Sequence, residues 1–115
     1  MEARQMIEIF THTDSGFKVL TEYGEWKIGM LRYCERFARL GEFERHLLTD
    51  EAFVLLSGDA TLYTDSESVS MENGKIYNIP ASVWHHIVVS EDASVLVVEN
   101  RNTSKENTEK KYIEV

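Results

Sequence analysis

The chain has 115 residues, 43% of them apolar and one of them proline, which is enough for one compact core and too few for two ordinary domains. Its formal net charge of −8 comes from 20 acidic residues with 12 basic ones scattered among them, so the clustered Lys and Arg of a nucleic-acid surface are excluded. No apolar run nears the roughly 20 residues that cross a bilayer, nothing near Met1 reads as a signal peptide, and Cys34 has no second cysteine to pair with; the expectation is a cytoplasmic protein with no membrane and no nucleic-acid partner.

In chain order, Met6, Ile7, Ile9 and Phe10 fit either a helix turn or an edge strand, the strand being the preferred reading. Strand-like runs follow at 17–23, 26–33, 43–48, 52–56, 60–64, 75–79, 84–90 and 94–98. They are separated by turn formers at Tyr23-Gly24, Ser57-Gly58-Asp59, Asn73-Gly74 and Glu91-Asp92. Short strands at this spacing predict an all-β sandwich or barrel occupying about 16–99. Asn73-Gly74 after the run 69–71 predicts a tight reversal, since both residues tolerate positive φ. In 26–33, Trp26, Ile28 and Met30 alternate with Lys27, Gly29 and Leu31, and the first set is expected to face the core. Arg32 shares that parity and would be an anion handle if it faced inward; a solvated or subunit-edge arginine is the competing reading. Segment 101–110 contains no apolar side chain and is expected to be solvated. Tyr112, Ile113 and Val115 are candidates for a returning edge strand on this molecule or on a partner. Cys34 sits in an apolar and aromatic run and reads as a structural thiol. One domain, 1–115, is expected.

The chemistry concentrates between Glu44 and His85. Residues two apart on a strand share a face, so Glu44 and His46 project together while Arg45 points away. After the short connection 47–50, Glu51 opens an apolar strand, and a reversal there returns its carboxylate toward His46, with Phe53 and Leu55 on the same inner face. His85 and His86 are adjacent and face opposite ways, so one of them at most can join this group. Tyr77 and Ile79 share parity and should line the barrel, with Tyr77 either a core residue or a proton donor.

These residues resemble the two signatures of the cupin superfamily. In the first, G-x5-H-x-H-x3–4-E-x6-G, His46 fits the second histidine, Glu51 the glutamate and Gly58 the closing glycine. Glu44 stands in the first histidine's place and Ala38 in the leading glycine's. In the second, G-x5-P-x-G-x2-H-x3-N, Gly74, Pro80 and His85 fit, while Ser82 replaces the second glycine and Val89 the asparagine. The resemblance therefore selects His85 over His86, leaving His86 for the outer face or a subunit contact. It implies an all-β double-stranded β-helix, a jelly-roll barrel, commonly paired as a homodimer.

The ligand set Glu44, His46, Glu51 and His85 suits a divalent transition metal: Mn, Fe, Co, Ni or Zn, with the extra oxygen donor tilting the choice toward Mn or Fe. A metal-free pocket, in which His46 hydrogen-bonds Glu51, is the competing arrangement. Two function classes follow. One is a small metal-dependent enzyme, an isomerase, lyase or dioxygenase, acting as a Lewis acid on a small oxygen-rich substrate, a sugar or hydroxy acid, with Glu44 or Tyr77 as the proton-moving catalytic group. The other is a barrel that binds or senses a small carbohydrate-like ligand without turning it over.

Overall fold

The computed structural model describes residues 6–113. Ten strands lie in that span: β1 (Gly16–Tyr23), β2 (Trp26–Arg32), β3 (Glu42–His46), β4 (Glu51–Ser57), β5 (Ala60–Thr64), β6 (Ser68–Ser70), β7 (Tyr77–Ile79), β8 (His85–Val89), β9 (Ser94–Asn100) and β10 (Thr108–Tyr112). Single 3-10 turns occur at Glu35–Phe37 and Lys105–Asn107. The strands form two antiparallel five-stranded sheets, ordered β1-β2-β9-β4-β7 and β10-β3-β8-β5-β6, the two layers of a jelly roll.

Strand parity builds a polarity gradient inside the barrel. In the first sheet the inward row Lys27–Glu99–Glu51 gives way along the strands to Gly29–Val97–Phe53 and then to Leu31–Val95–Leu55. In the second sheet the row Lys110–Glu44–His85 gives way to Leu62 opposite Ile87 and to Ala60 opposite Val89. The apolar rows meet as one core of Leu31, Phe53, Leu55, Leu62, Ile87, Val89, Val95 and Val97, all at most 5% exposed. Burial at about 25 cal/mol per Å² of apolar surface makes this plug the main source of stability. The opposite end of the barrel is left to charged and polar side chains.

Several local expectations are corrected. Residues 8–13 form no strand, and the expectation of an edge strand at the start fails for the described part of that segment. Trp26, Ile28 and Met30 face outward. The inward positions of β2 belong to Lys27, Gly29 and Leu31, because Leu31 joins the core and the Phe17 ring lies over Gly29, where an added Cβ would come within 2.4 Å of it. Arg32 therefore faces outward too, and its Nη1 donates to Ser94 Oγ at 3.0 Å on the neighbouring strand. Segment 101–110 is largely exposed, as expected of a solvated stretch, but it is ordered: it carries a 3-10 turn, and from Thr108 it pairs along β3. Ile113 donates its N–H to Gly41 O at 3.0 Å, whereas Val115 lies outside the described residues.

Turn chemistry positions the site. Gly58 at φ +73° and Gly74 at φ +83° take the left-handed conformation, and each turns the chain from one sheet to the other, so Asn73-Gly74 makes a crossover turn between β6 and β7 and not the tight hairpin reversal expected. Asp50 pins the loop before β8, its carboxylate accepting from Ala81 N–H at 2.8 Å and from Asn78 Nδ2 at 3.1 Å. Ser82 N–H donates to His46 O at 2.7 Å, which ties the same loop to β3.

Candidate metal centre

Glu44, His46, Glu51 and His85 converge, each offering a ligand atom, with all four atoms within 4.8 Å of one another. Glu44 and His46 come from β3, Glu51 from the first position of β4 and His85 from the first position of β8. His46, Glu51 and His85 are buried, at 7%, 7% and 3% exposure.

Hydrogen bonds fix how the rings present themselves. His85 Nδ1 donates to the carbonyl oxygen of Val83 at 2.9 Å, and since a carbonyl only accepts, Nδ1 carries the proton. A neutral His85 then points a bare Nε2 lone pair at Glu51 Oε1, 2.9 Å away. Two acceptors at that distance require a proton or a cation between them. His46 Nδ1 is held by Thr108 Oγ1 at 2.9 Å, and its buried Nε2 has no hydrogen-bond partner, standing 3.3 Å from Glu51 Oε1 and 3.7 Å from Glu44 Oε1. An orphaned buried nitrogen and an acceptor pair are costly unless a shared cation satisfies both. The donor set fits a divalent transition metal.

Glu44 is divided between two tasks. Its Oε2 is gripped by Arg36 Nη2 at 2.6 Å, while Oε1 faces His46. Arg36 also holds Glu42 Oε1 through Nε at 3.0 Å, so the guanidinium orients the half-exposed carboxylate. The electrostatics agree with a site that wants positive charge. Burial opposes ionisation of Glu51, yet His46 and His85 outweigh it and hold its pKa below the ordinary value. Burial likewise opposes a charged His46, and Glu51 and Glu44 overcome it and raise its pKa.

Sequence reasoning missed Glu99. It faces Glu51 across the β4–β9 ladder, is 8% exposed, and has Oε1 3.7 Å from Lys27 Nζ and Oε2 without a partner. Burial and the Glu51 charge push its pKa up to about 8. Extending the alternation of Val95 and Val97 by one step places Glu99 on the inner face, so the strand pattern did contain it.

The other expected residues fall elsewhere. Tyr77 packs on the core and its hydroxyl accepts from Glu72 N–H at 2.9 Å; it does not line the cavity, and the geometry gives no support to a catalytic role. His86 is 3% exposed instead of lying on an open outer face, and donates through Nε2 to Arg36 O at 3.0 Å. His12 donates through Nε2 to Gly16 O at 2.8 Å. Cys34 packs partly buried against the core. Above the quartet opens a cavity of about 600 Å³, lined at depth by Phe53, Ile87 and Val97 and toward its polar end by Arg36, Glu99, Lys105 and Lys110.

A two-sheet jelly roll with a two-histidine, two-carboxylate cluster inside one end defines the class of small barrels with an internal polar site. The description Cupin domain matches residues 38–99, more than half of the chain, and the chain belongs to that family. Among solved structures, a cupin-2 domain containing protein from Shewanella frigidimarina is 21% identical over 81% of this chain and 85% of its own, with a TM-score of 0.62. Pac13 of Streptomyces, a nucleoside dehydratase, is 11% identical over 94% of this chain and 92% of its own, with a TM-score of 0.66. KdgF from Halomonas sp. is 14% identical over 81% and 87%, with a TM-score of 0.60. At these identities the likeness is one of fold. No curated protein matches the chain.

Proposed function

We propose that this cupin is a metal-dependent enzyme acting on a small oxygen-rich molecule. The observation that carries the reading is the bare, buried Nε2 of His46 beside the His85–Glu51 acceptor pair. His46 and His85 would hold a divalent ion through Nε2 and Glu51 through its carboxylate, with Glu44 Oε1 beside the ion and free to act as a base. When bound, the ion supplies Lewis acidity toward a chelating hydroxyl or carbonyl oxygen. Thr108 and Val83 fix the two rings, Arg36 aims Glu44 at the site, and the apolar floor excludes water from the reacting end. Glu44 is placed to accept a proton from a substrate carbon or hydroxyl that reaches Oε1, and this supports isomerase or lyase chemistry. That Streptomyces Pac13, of similar fold, is a dehydratase agrees with this chemistry. Cys34 as a free thiol agrees with a reducing, cytoplasmic setting.

The test is metal content after purification without added metal or chelator, followed by reconstitution with Mn(II), Fe(II), Co(II), Ni(II) and Zn(II). Near-stoichiometric metal is expected in the native chain, with a loss of about tenfold or more in affinity for His46→Ala and for His85→Ala while each stays folded. Glu44→Gln is expected to retain metal and lose turnover. Unchanged stoichiometry in both histidine variants overturns the site, and native protein that stays empty after reconstitution turns the reading to a ligand-binding barrel.

We further propose a homodimer as the working form. The outer face of the first sheet exposes Tyr23 by 75%, Trp26 by 43% and Leu56 by 48%, and the segment ahead of β1 exposes Met6 by 92% and Ile9 by 73%. A second copy related by a two-fold axis would cover both features at once.

A further inference from the structure

We infer that the substrate is an anion, a polyhydroxylated acid or phosphate ester, whose negative group is held by Lys105 and Lys110; this rests on the metal reading above. The cavity lining holds three carboxylates, Glu44, Glu51 and Glu99, and three basic side chains, Arg36, Lys105 and Lys110. Behind them Lys27 lies on Glu99 and Glu42 on Arg36, which leaves the balance unchanged. Even with every carboxylate counted as charged the lining alone is neutral, and a divalent ion gives the cavity a net charge of at least +2 inside a chain whose formal charge is −8.

That surplus has a location. Arg36 is committed to Glu42 and Glu44, at 3.0 and 2.6 Å. Lys110 meets Glu42 only at 3.9 Å, and its side chain is 43% exposed. Lys105 makes no hydrogen bond or ion pair among the described residues. Both lysines come from the C-terminal segment, and the register places Lys110 opposite Glu44, in the inward row that ends at His85. A ligand whose oxygens reach the quartet therefore brings its other end to two ammonium groups with no full counter-charge. A neutral polyol would leave them so, whereas a carboxylate or phosphate would take charge-assisted hydrogen bonds from both. A cavity of about 600 Å³ has room for a sugar-sized acid.

The experiment first measures Mn(II) bound by the native chain. The loaded protein is then titrated calorimetrically with gluconate against glucitol and with ribose 5-phosphate against ribose, and the titrations are repeated with Lys105→Gln/Lys110→Gln at matched metal content. The expected result is a preference of about tenfold or more for at least one charged member over its neutral counterpart, lost in the double variant while bound Mn(II) is unchanged. Tighter gluconate identifies a carboxylate ligand, and tighter ribose 5-phosphate a phosphate. Equal binding of charged and neutral members, a preference that survives the double variant, or no binding of any of the four overturns the inference. A native chain that retains no Mn(II) is loaded instead with whichever of Fe(II), Co(II), Ni(II) or Zn(II) it holds and titrated in the same way; one that stays empty with all five is seen before any sugar is added, and defeats the metal reading itself and the inference with it.

Discussion

The residue with the most unusual environment is Glu99, whose carboxyl is held protonated to about pH 8 by burial and by the neighbouring Glu51 charge. An unfolded chain releases that proton near the ordinary value of 4.5, so between these two pH values the native state binds the extra proton and stability falls as pH rises. His46, raised above its ordinary 6.5, acts in the same direction: its contribution is complete below that value and is lost as pH rises through the folded pKa. Glu51, held below 4.5, contributes above that value and loses its share as pH falls. Metal-free protein is therefore expected to melt highest between about pH 5 and 6 and progressively lower toward pH 9, with Glu99→Gln flattening the decline. Thermal denaturation in chelator across that range checks it, and a native profile that rises toward pH 9 refutes it. The quartet itself was legible in the sequence, because alternation and motif spacing both fix which way Glu44, His46 and Glu51 point. The inward face of Glu99 could have been read from the alternation of Val95 and Val97, but its role and that of Arg36 could not, since these come from contacts between β9 and β4 and between the 3-10 turn and β3.

At the scale of elements, the loop from Pro80 to Trp84 sets His85, and Ser82 is its strained point. Ser82 occupies the glycine position of the second cupin signature and keeps the backbone such a glycine would have, at φ +68°. A side chain in the left-handed region costs roughly 1–2 kcal/mol, against about 0.5–1 kcal/mol of extra chain entropy that glycine loses on folding. Ser82→Gly is expected to stabilise the protein by about 0.5–1 kcal/mol without altering metal content, as read from urea unfolding; destabilisation would mean that the hydroxyl contributes more than the backbone strain costs. The substitution was visible in the sequence, but its consequence was not, because another backbone was open to a serine. Strand existence was legible nearly throughout, as turn formers bracket each run. The face of β2 was not, because Trp26, Ile28 and Met30 make the more apolar set and still face outward. Periodicity reports which side is apolar, and in this sheet both sides are.

For the whole molecule, that second apolar side is the main unresolved demand of a single chain. Tyr23 and Trp26 pack with their rings tilted at 47° and centroids 6.3 Å apart on the outer face, with Ile28, Met30, Leu96 and Val98 half-buried beside them. Light scattering at micromolar concentration is expected to give twice the 13.3 kDa chain mass, and Trp26→Asp to shift the protein toward monomer while leaving the metal quartet intact. A native mass of one chain defeats the dimer. The jelly roll was legible as a class from strand spacing and the cupin-like motifs. Its final strand was legible only at Tyr112, where a returning edge strand was expected; the start was not, because 108–111 contains no apolar side chain and joins the sheet through backbone hydrogen bonds to β3.

That last strand bears on when the site can exist at all. The His46 ring is oriented by Thr108, a residue 62 positions further along the chain. During synthesis β3 and the remaining ligands emerge well before the segment that braces them, and the neighbouring edge of β3 stays open until it arrives. The pocket is thus completed only once the chain has been made through Thr108. On the proposed metal reading, the ion is then chosen from the free pool around a folded barrel and not by β3 as it emerges, so its identity is set by where the barrel folds as much as by its ligands.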